Sequence, residues 1–165
     1  MLTFAGILEN PCMDKFDRAI LDALQADASM PVAELAERIG LTATPCWRRV
    51  QRLEAQGIIR KRVALLDARK LNVGVTVFVS VRTSHHTAEW LKSFHKLVSS
   101  IPEVVEFYRM SGQTDYLLKV VVPDIAGYDR VYKRLIHGTQ LADVSSSFAM
   151  EEIKCTSRLP LDYAD

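Results

Sequence analysis

Arg48, Arg49, Gln51 and Arg52 place three guanidinium groups and a carboxamide within five consecutive residues. These are the side chains that form paired hydrogen bonds to guanine and adenine edges, and guanidinium also neutralises phosphate. Thr42 and Thr44 just upstream add hydroxyls able to bond a base or a phosphate, and Trp47 adds a ring. The chemistry on offer is polyanion recognition. Charge along the chain sharpens it: the net charge is only +1, yet residues 38–62 carry seven basic side chains (Arg38, Arg48, Arg49, Arg52, Arg60, Lys61, Arg62) against Glu54 alone. Residues 1–37 carry two basic against seven acidic, and the remainder twelve of each sign. A neutral chain with one short positive segment suits contact with a polyanion, double-stranded DNA being one. Charge alone leaves a merely solvated helix face open as the alternative.

Other chemistry finds little support. The chain has no GxSxG, no phosphate-cradling glycine loop and no HExxH. His85 and His86 are adjacent on an extended segment and point opposite ways, His95 follows on a helix, and no cysteine or carboxylate joins them at ligand spacing. Neither catalysis, nor a cofactor, nor a metal is expected. Cys12, Cys46 and Cys155 are odd in number and far apart, which argues for reduced thiols. No run of 18 apolar residues occurs, and the opening MLTFAGILENPCM lacks the basic and small-residue marks of a signal peptide, so a cytoplasmic address is expected and no membrane partner.

These side chains need elements to hold them. Residues 1–13 lack periodicity and read as a flexible leader. From Asp14, Phe16, Ile20, Leu21 and Leu24 share a helical face, with Asp14 and Asp17 placed to cap it. VAELAERI follows as a short second helix closed by Gly40, and Thr42 opens a third that ends at Gly57. On that third helix, at roughly 100° per residue, Cys46, Val50 and Leu53 form the buried stripe. Thr44, Arg48, Gln51 and Ala55 occupy the opposite face, with Arg52 beside them and Trp47 and Arg49 on the flanks. Three short helices with a tight Gly-Leu-Thr turn describe a helix-turn-helix over 14–62. A linker with a short strand is expected over 63–72. Beyond it, alternating Val75 to Val81, helices near 88–100 and 125–137, and strands near 103–110, 116–122 and 144–154 give a ferredoxin-like βαββαβ domain over 73–165, an α+β chain overall.

The segments LTATPCWRRVQRLEAQGII, PEVVEFYRMSGQTDYLLKVVVPD and DVSSSFAMEEIKCTSRLPL resemble the Lrp/AsnC family of transcription factors, in one register over residues 14–162. TPCW, VALLD, HHTAEW, FYRMSG and SSSFAMEEIK are more particularly similar to its subgroup concerned with cysteine detoxification. The resemblance implies a winged helix-turn-helix joined to an amino-acid-sensing domain that dimerises through its sheet and assembles further, commonly to octamers. It places a small amino-acid effector near Ser111, Gly112, Gln113, Thr114 and Asp115, with Ser145 and Ser147 of the serine triplet lining the pocket. A glycine-containing loop offers N–H groups to a carboxylate, and Asp115 can accept from an ammonium. A plain turn in which Asp115 bonds local backbone is the alternative. Gln113 and Thr114 replace the acidic and aromatic residues of many relatives, and L-cysteine is the effector the subgroup suggests. Two further classes remain: a thiol-based redox sensor, for which Cys155 is the candidate, and an effector-independent architectural DNA-binding protein.

Overall fold

The computed structural model describes residues 13–164, so the expected leader lies outside the described residues except for Met13, which packs against the helical core. The chain forms two units. One takes the chain through Leu65 together with the stretch from Lys154 on, and the other runs Leu66–Ile153.

The first unit holds α1 (Lys15–Ala26), α2 (Val32–Ile39) and α3 (Ala43–Ala55). Asp14 caps α1 by accepting from the Phe16 and Asp17 N–H groups, and Asp17 answers as the other half of a capping box. Gly40 ends α2 at φ +74, a left-handed conformation open to glycine without a Cβ penalty, and Thr42 occupies the N-cap position of α3. The turn between α2 and α3 is therefore only Gly40-Leu41-Thr42. Apolar spacing closes the core: Ile20, Leu21 and Ala23 of α1 meet Leu35 and Ala36 of α2 and Cys46, Val50 and Leu53 of α3. Each large member of that set is worth roughly 1.5–3 kcal/mol of burial. Residues 154–164, expected in the second domain, instead lie along α1. Arg158 pairs with Asp22 at 2.5 Å, Gln25 exchanges two hydrogen bonds with the Leu159 backbone, and Arg18 donates to the Ala164 carbonyl.

The second unit is βαββαβ: β1 (Val75–Arg82), α4 (Ala88–Ser99), β2 (Val104–Arg109), β3 (Tyr116–Val122), α5 (Ile125–Gly138) and β4 (Asp143–Phe148). The sheet is antiparallel in the order β2-β3-β1-β4. Period-two alternation sends Val77, Val79 and Val81 with Leu118, Val120 and Val122 inward, against Phe94, Val98, Val131 and Leu135 of the helices. Phe78, Ser80, Leu117, Lys119 and Val121 face the other way.

Two expected strands differ from what forms. No strand lies between α3 and β1; the apolar residues Val63, Leu65 and Leu66 are exposed, with no ladder partner among the described residues. The last strand stops at Phe148 rather than reaching Lys154, because its neighbour β1 begins at Val75 and the final bond runs from Ala149 N–H to the Thr76 carbonyl. Past that point there is no strand edge left to pair with.

Candidate functional site

The turn of helix sets the first group. Cys46, Val50 and Leu53 are each no more than 2% exposed, which rotates Thr44, Arg48 and Gln51 outward; all three are exposed, as are Thr42, Trp47 and Arg52. The Thr42 hydroxyl makes no cap bond, so it is open to another partner. Gln51 donates to Glu54 at 3.1 Å, and Glu54 also receives Arg62.

The three arginines are not equivalent. Arg48 has no hydrogen bond or ion pair among the described residues. Arg49 Nη1 donates to Asp14 at 2.7 Å and to Asp17 at 2.9 Å, with its guanidinium over the Phe16 ring. Arg52 Nη2 donates to the other Asp17 oxygen at 2.6 Å. The hydrogen bonds that Arg49 donates to Asp17 and then to Asp14 push its guanidinium up from its ordinary value. Desolvation would raise the Asp14 carboxyl, but the Asp17 backbone N–H and the Arg49 guanidinium outweigh it and hold the group below the usual carboxylate range. The acidic half of this brace escapes sequence reasoning: Asp14 and Asp17 read as cap residues, and nothing in local spacing announces a partner 32 to 35 positions away.

The second group sits at one end of the sheet. The β2–β3 loop is closed by Met110 N–H to the Asp115 carbonyl at 2.8 Å. Gly112 has φ +117 and open space where a Cβ would lie. The backbone N–H groups of Ser111, Gly112, Gln113 and Thr114 have no partner among the described residues. Ser111, Gly112 and Gln113 are exposed, Thr114 and Asp115 half-buried. One carboxylate oxygen of Asp115 accepts from the Thr83 N–H at 2.8 Å, so this side chain tethers the residue just past the end of β1. Ser145 and Ser147 are exposed on the uncovered sheet face, opposite Ser80 and Phe78. Ser146 points the other way and bonds the Tyr128 hydroxyl. The loop belongs to β2 and β3 while the serines lie on β4, with β1 between; two strand spacings, roughly 10 Å, separate them. One chain brings the loop residues together but does not bring the serines to them.

Burial pushes the Cys46 thiol up from its ordinary value, against the opposing charge of Arg49, whereas Cys155 is exposed. Among the described residues no group of three His, Cys, Asp or Glu side chains could hold a metal, and no helix is long and apolar enough to cross a membrane.

Against known proteins, residues 13–54 match the AsnC-type helix-turn-helix domain and residues 76–159 the Lrp/AsnC ligand binding domain. The chain is 48% identical to the DNA-binding transcriptional activator DecR of Escherichia coli K12, over 91% of this chain and 99% of that protein. Among solved structures it is similar to an AsnC family transcriptional regulator from Agrobacterium tumefaciens, with TM-score 0.89 and 62% identity over 92% of this chain and 99% of the other. A transcriptional regulator from Neisseria meningitidis, solved as its complex with L-Met, matches with TM-score 0.87 and 35% identity over 91% of this chain and 97% of that one.

Proposed function

The chain belongs to the Lrp/AsnC family of transcription regulators, and on that premise we propose which of its residues meet DNA and which meet the amino-acid effector. Arg48, Gln51 and Thr44 read base edges in the major groove of double-stranded DNA, with Thr42 and Trp47 beside them at the backbone. The observation that carries this is the state of Arg48: it is exposed on the outward face of α3 and has no partner among the described residues, while its two arginine neighbours are held by aspartates. DNA as partner implies work in the cytoplasm.

The effector is a small amino acid, with L-cysteine as the first candidate from the motif resemblance. Its carboxylate is received by the N–H groups around Gly112 and its ammonium by Asp115. The free N–H groups of that loop support the reading, and the L-Met complex of the Neisseria regulator supports the ligand class. Ser145 and Ser147 then contribute from a second copy. Such a copy follows from the uncovered sheet face, where Phe78 is 39% exposed and Leu117 and Val121 flank it. We infer a homodimer through this face that assembles to a higher oligomer, an octamer being the size the family resemblance suggests. Symmetric operators with half-sites about one helical turn apart follow from a two-fold dimer.

A thermal-shift screen of the protein amino acids tests the ligand, since a molecule that binds only the folded chain raises its melting temperature by mass action. Sedimentation of the full chain and of Phe78→Asp tests the face. Dissociation of the variant supports it, and an unchanged sedimentation coefficient overturns it.

A further inference from the structure

We propose that Asp17, a residue of α1, divides the work of the two arginines beside it: it withholds Arg49 from DNA and presents Arg52 to a phosphate. The inference rests on the reading that the outward face of α3 meets DNA.

Both arginines lie in the positive segment and both bind the same carboxylate, but they are bound differently. Arg49 uses one nitrogen on two carboxylates, Asp14 and Asp17, stacks over Phe16, and keeps only 26% of its side chain exposed. Leaving for a phosphate would break both of these bonds and leave Oδ1 of Asp17, on a side chain only 2% exposed, without its partner, and a buried unsatisfied acceptor is costly. Held by both carboxylates and largely covered, Arg49 stays off the phosphates when DNA arrives and so displaces no counterion. Arg49 is a strut between α1 and α3.

Arg52 has a single anchor. Asp17 holds one edge through Nη2 at 2.6 Å, and the side chain is 48% exposed. A guanidinium has five N–H donors, so the remaining ones stay available in a fixed orientation. On the helix, Arg52 stands only about 40° from Arg48, on the flank of the outward face. A side chain already held in place loses less rotamer freedom on binding than a free one. Asp17 is in this sense a positioning residue: it acts through Arg52 rather than on DNA.

The test is the salt dependence of binding to a short duplex of arbitrary sequence, where phosphate contacts dominate and no operator need be known. Full-length wild type, Arg52→Gln, Arg49→Gln and Asp17→Asn are compared, with helix content checked by circular dichroism. Glutamine keeps a donor for Asp17, so the two arginine variants carry the comparison even where Asp17→Asn fails to fold. Arg52→Gln is expected to lower the slope of log K against log salt by about 0.9, one phosphate contact, while Arg49→Gln leaves the slope at the wild-type value. Asp17→Asn is expected to weaken binding several-fold at an unchanged slope, because Arg52 still reaches the phosphate but without its anchor, while Asp14 still holds Arg49. Equal drops in slope for the two arginine variants overturn the inference, as does wild-type affinity in an Asp17→Asn that keeps its helix content. A wild-type chain that binds without salt dependence overturns the reading of α3 and the inference with it.

Discussion

On α3, Thr44, Arg48 and Gln51 follow one another at intervals of four and three residues and so share a face of one helix in one chain. Ser111 to Asp115 and Ser145 with Ser147 sit on elements separated in the sheet by β1, and one chain leaves them apart. The first site is complete once a local helix has formed. The second, on the reading proposed above, depends on strand order and on a second copy. Under that proposal a regulator keeps its α3 face intact in every state while its effector site is completed only by assembly, which would make the assembly itself the quantity an effector shifts.

The strongest way to break this comparison is to unmake one region alone. Phe94 is fully buried among Trp90, Phe107 and Tyr116, with ring centroids 4.9 to 5.5 Å away. Phe94→Ala is expected to destabilise the sheet unit by about 3–5 kcal/mol in denaturant titration. Effector response should vanish. Binding of arbitrary DNA at low salt should persist, because the helical unit has its own core in Ile20, Leu35, Val50 and Leu53. Loss of both functions in a single unfolding transition would remove the distinction between the regions.

A smaller effect sharpens the DNA side. Arg48→Ala is expected to lose about 1–3 kcal/mol at a selected operator and to flatten preference at one base position. Equal losses on operator and arbitrary duplex would move Arg48 from base reading to phosphate contact.

The same contrast explains what sequence could carry. Helical spacing alone placed Cys46, Val50 and Leu53 inside and Arg48 and Gln51 outside, because a helix relates residues three and four apart without reference to the rest of the chain. The sheet order was reachable from the βαββαβ sequence of elements. Two kinds of feature were not. Strand ends depend on the neighbour, so β4 ran to Lys154 on its own pattern and to Phe148 once paired with β1. Long-range ion pairs depend on how helices cross, so Asp17 looked like a cap and proved also to be the anchor of two arginines. The tail from Lys154 onward carries no periodicity that names α1 as its resting place.

On the effector side, Asp115 has two roles that one substitution can separate. Asp115→Asn keeps an amide oxygen to accept from the Thr83 N–H but loses the negative charge that would hold an ammonium. Stability should stay within about 1 kcal/mol of wild type, since the replaced bond is one of ordinary net strength. The change in DNA binding or assembly on adding amino acid should be abolished, with basal DNA affinity retained. The measurement is a DNA titration with and without L-cysteine under reducing conditions, with Cys155→Ser alongside. A response that survives Asp115→Asn and disappears in Cys155→Ser would replace the pocket with thiol sensing at the exposed cysteine.

The smallest effect concerns the charge on Asp14, and it isolates the brace from the cap. Asparagine caps a helix about as well as aspartate, so Asp14→Asn keeps the hydrogen bonds to the Phe16 and Asp17 N–H groups and removes only the charge. What is lost is the attraction to Arg49 and to the positive end of α1. With the Asp14 side chain 46% exposed, solvent screening limits this to about 0–1 kcal/mol at neutral pH and low salt. The direction with pH follows from the lowered carboxyl: Asp14 stays charged in the folded chain at pH values where the unfolded chain begins to take up a proton. Its contribution is thus fully present above the ordinary carboxylate value of about 3.9 and is lost as pH falls through the lower folded value. Thermal unfolding of wild type and Asp14→Asn at neutral and acid pH should give a gap that closes in acid, and that closes also in about 1 M salt, where the Debye length is about 3 Å. On the sheet, desolvation of Glu106 is outweighed by the Tyr108 hydroxyl and Lys119, and its lowered carboxyl works in the same direction in both proteins, so it cancels from the difference. A gap that persists in acid would mean that asparagine distorts the cap, and the brace at Arg49 would then owe little to the charge of Asp14.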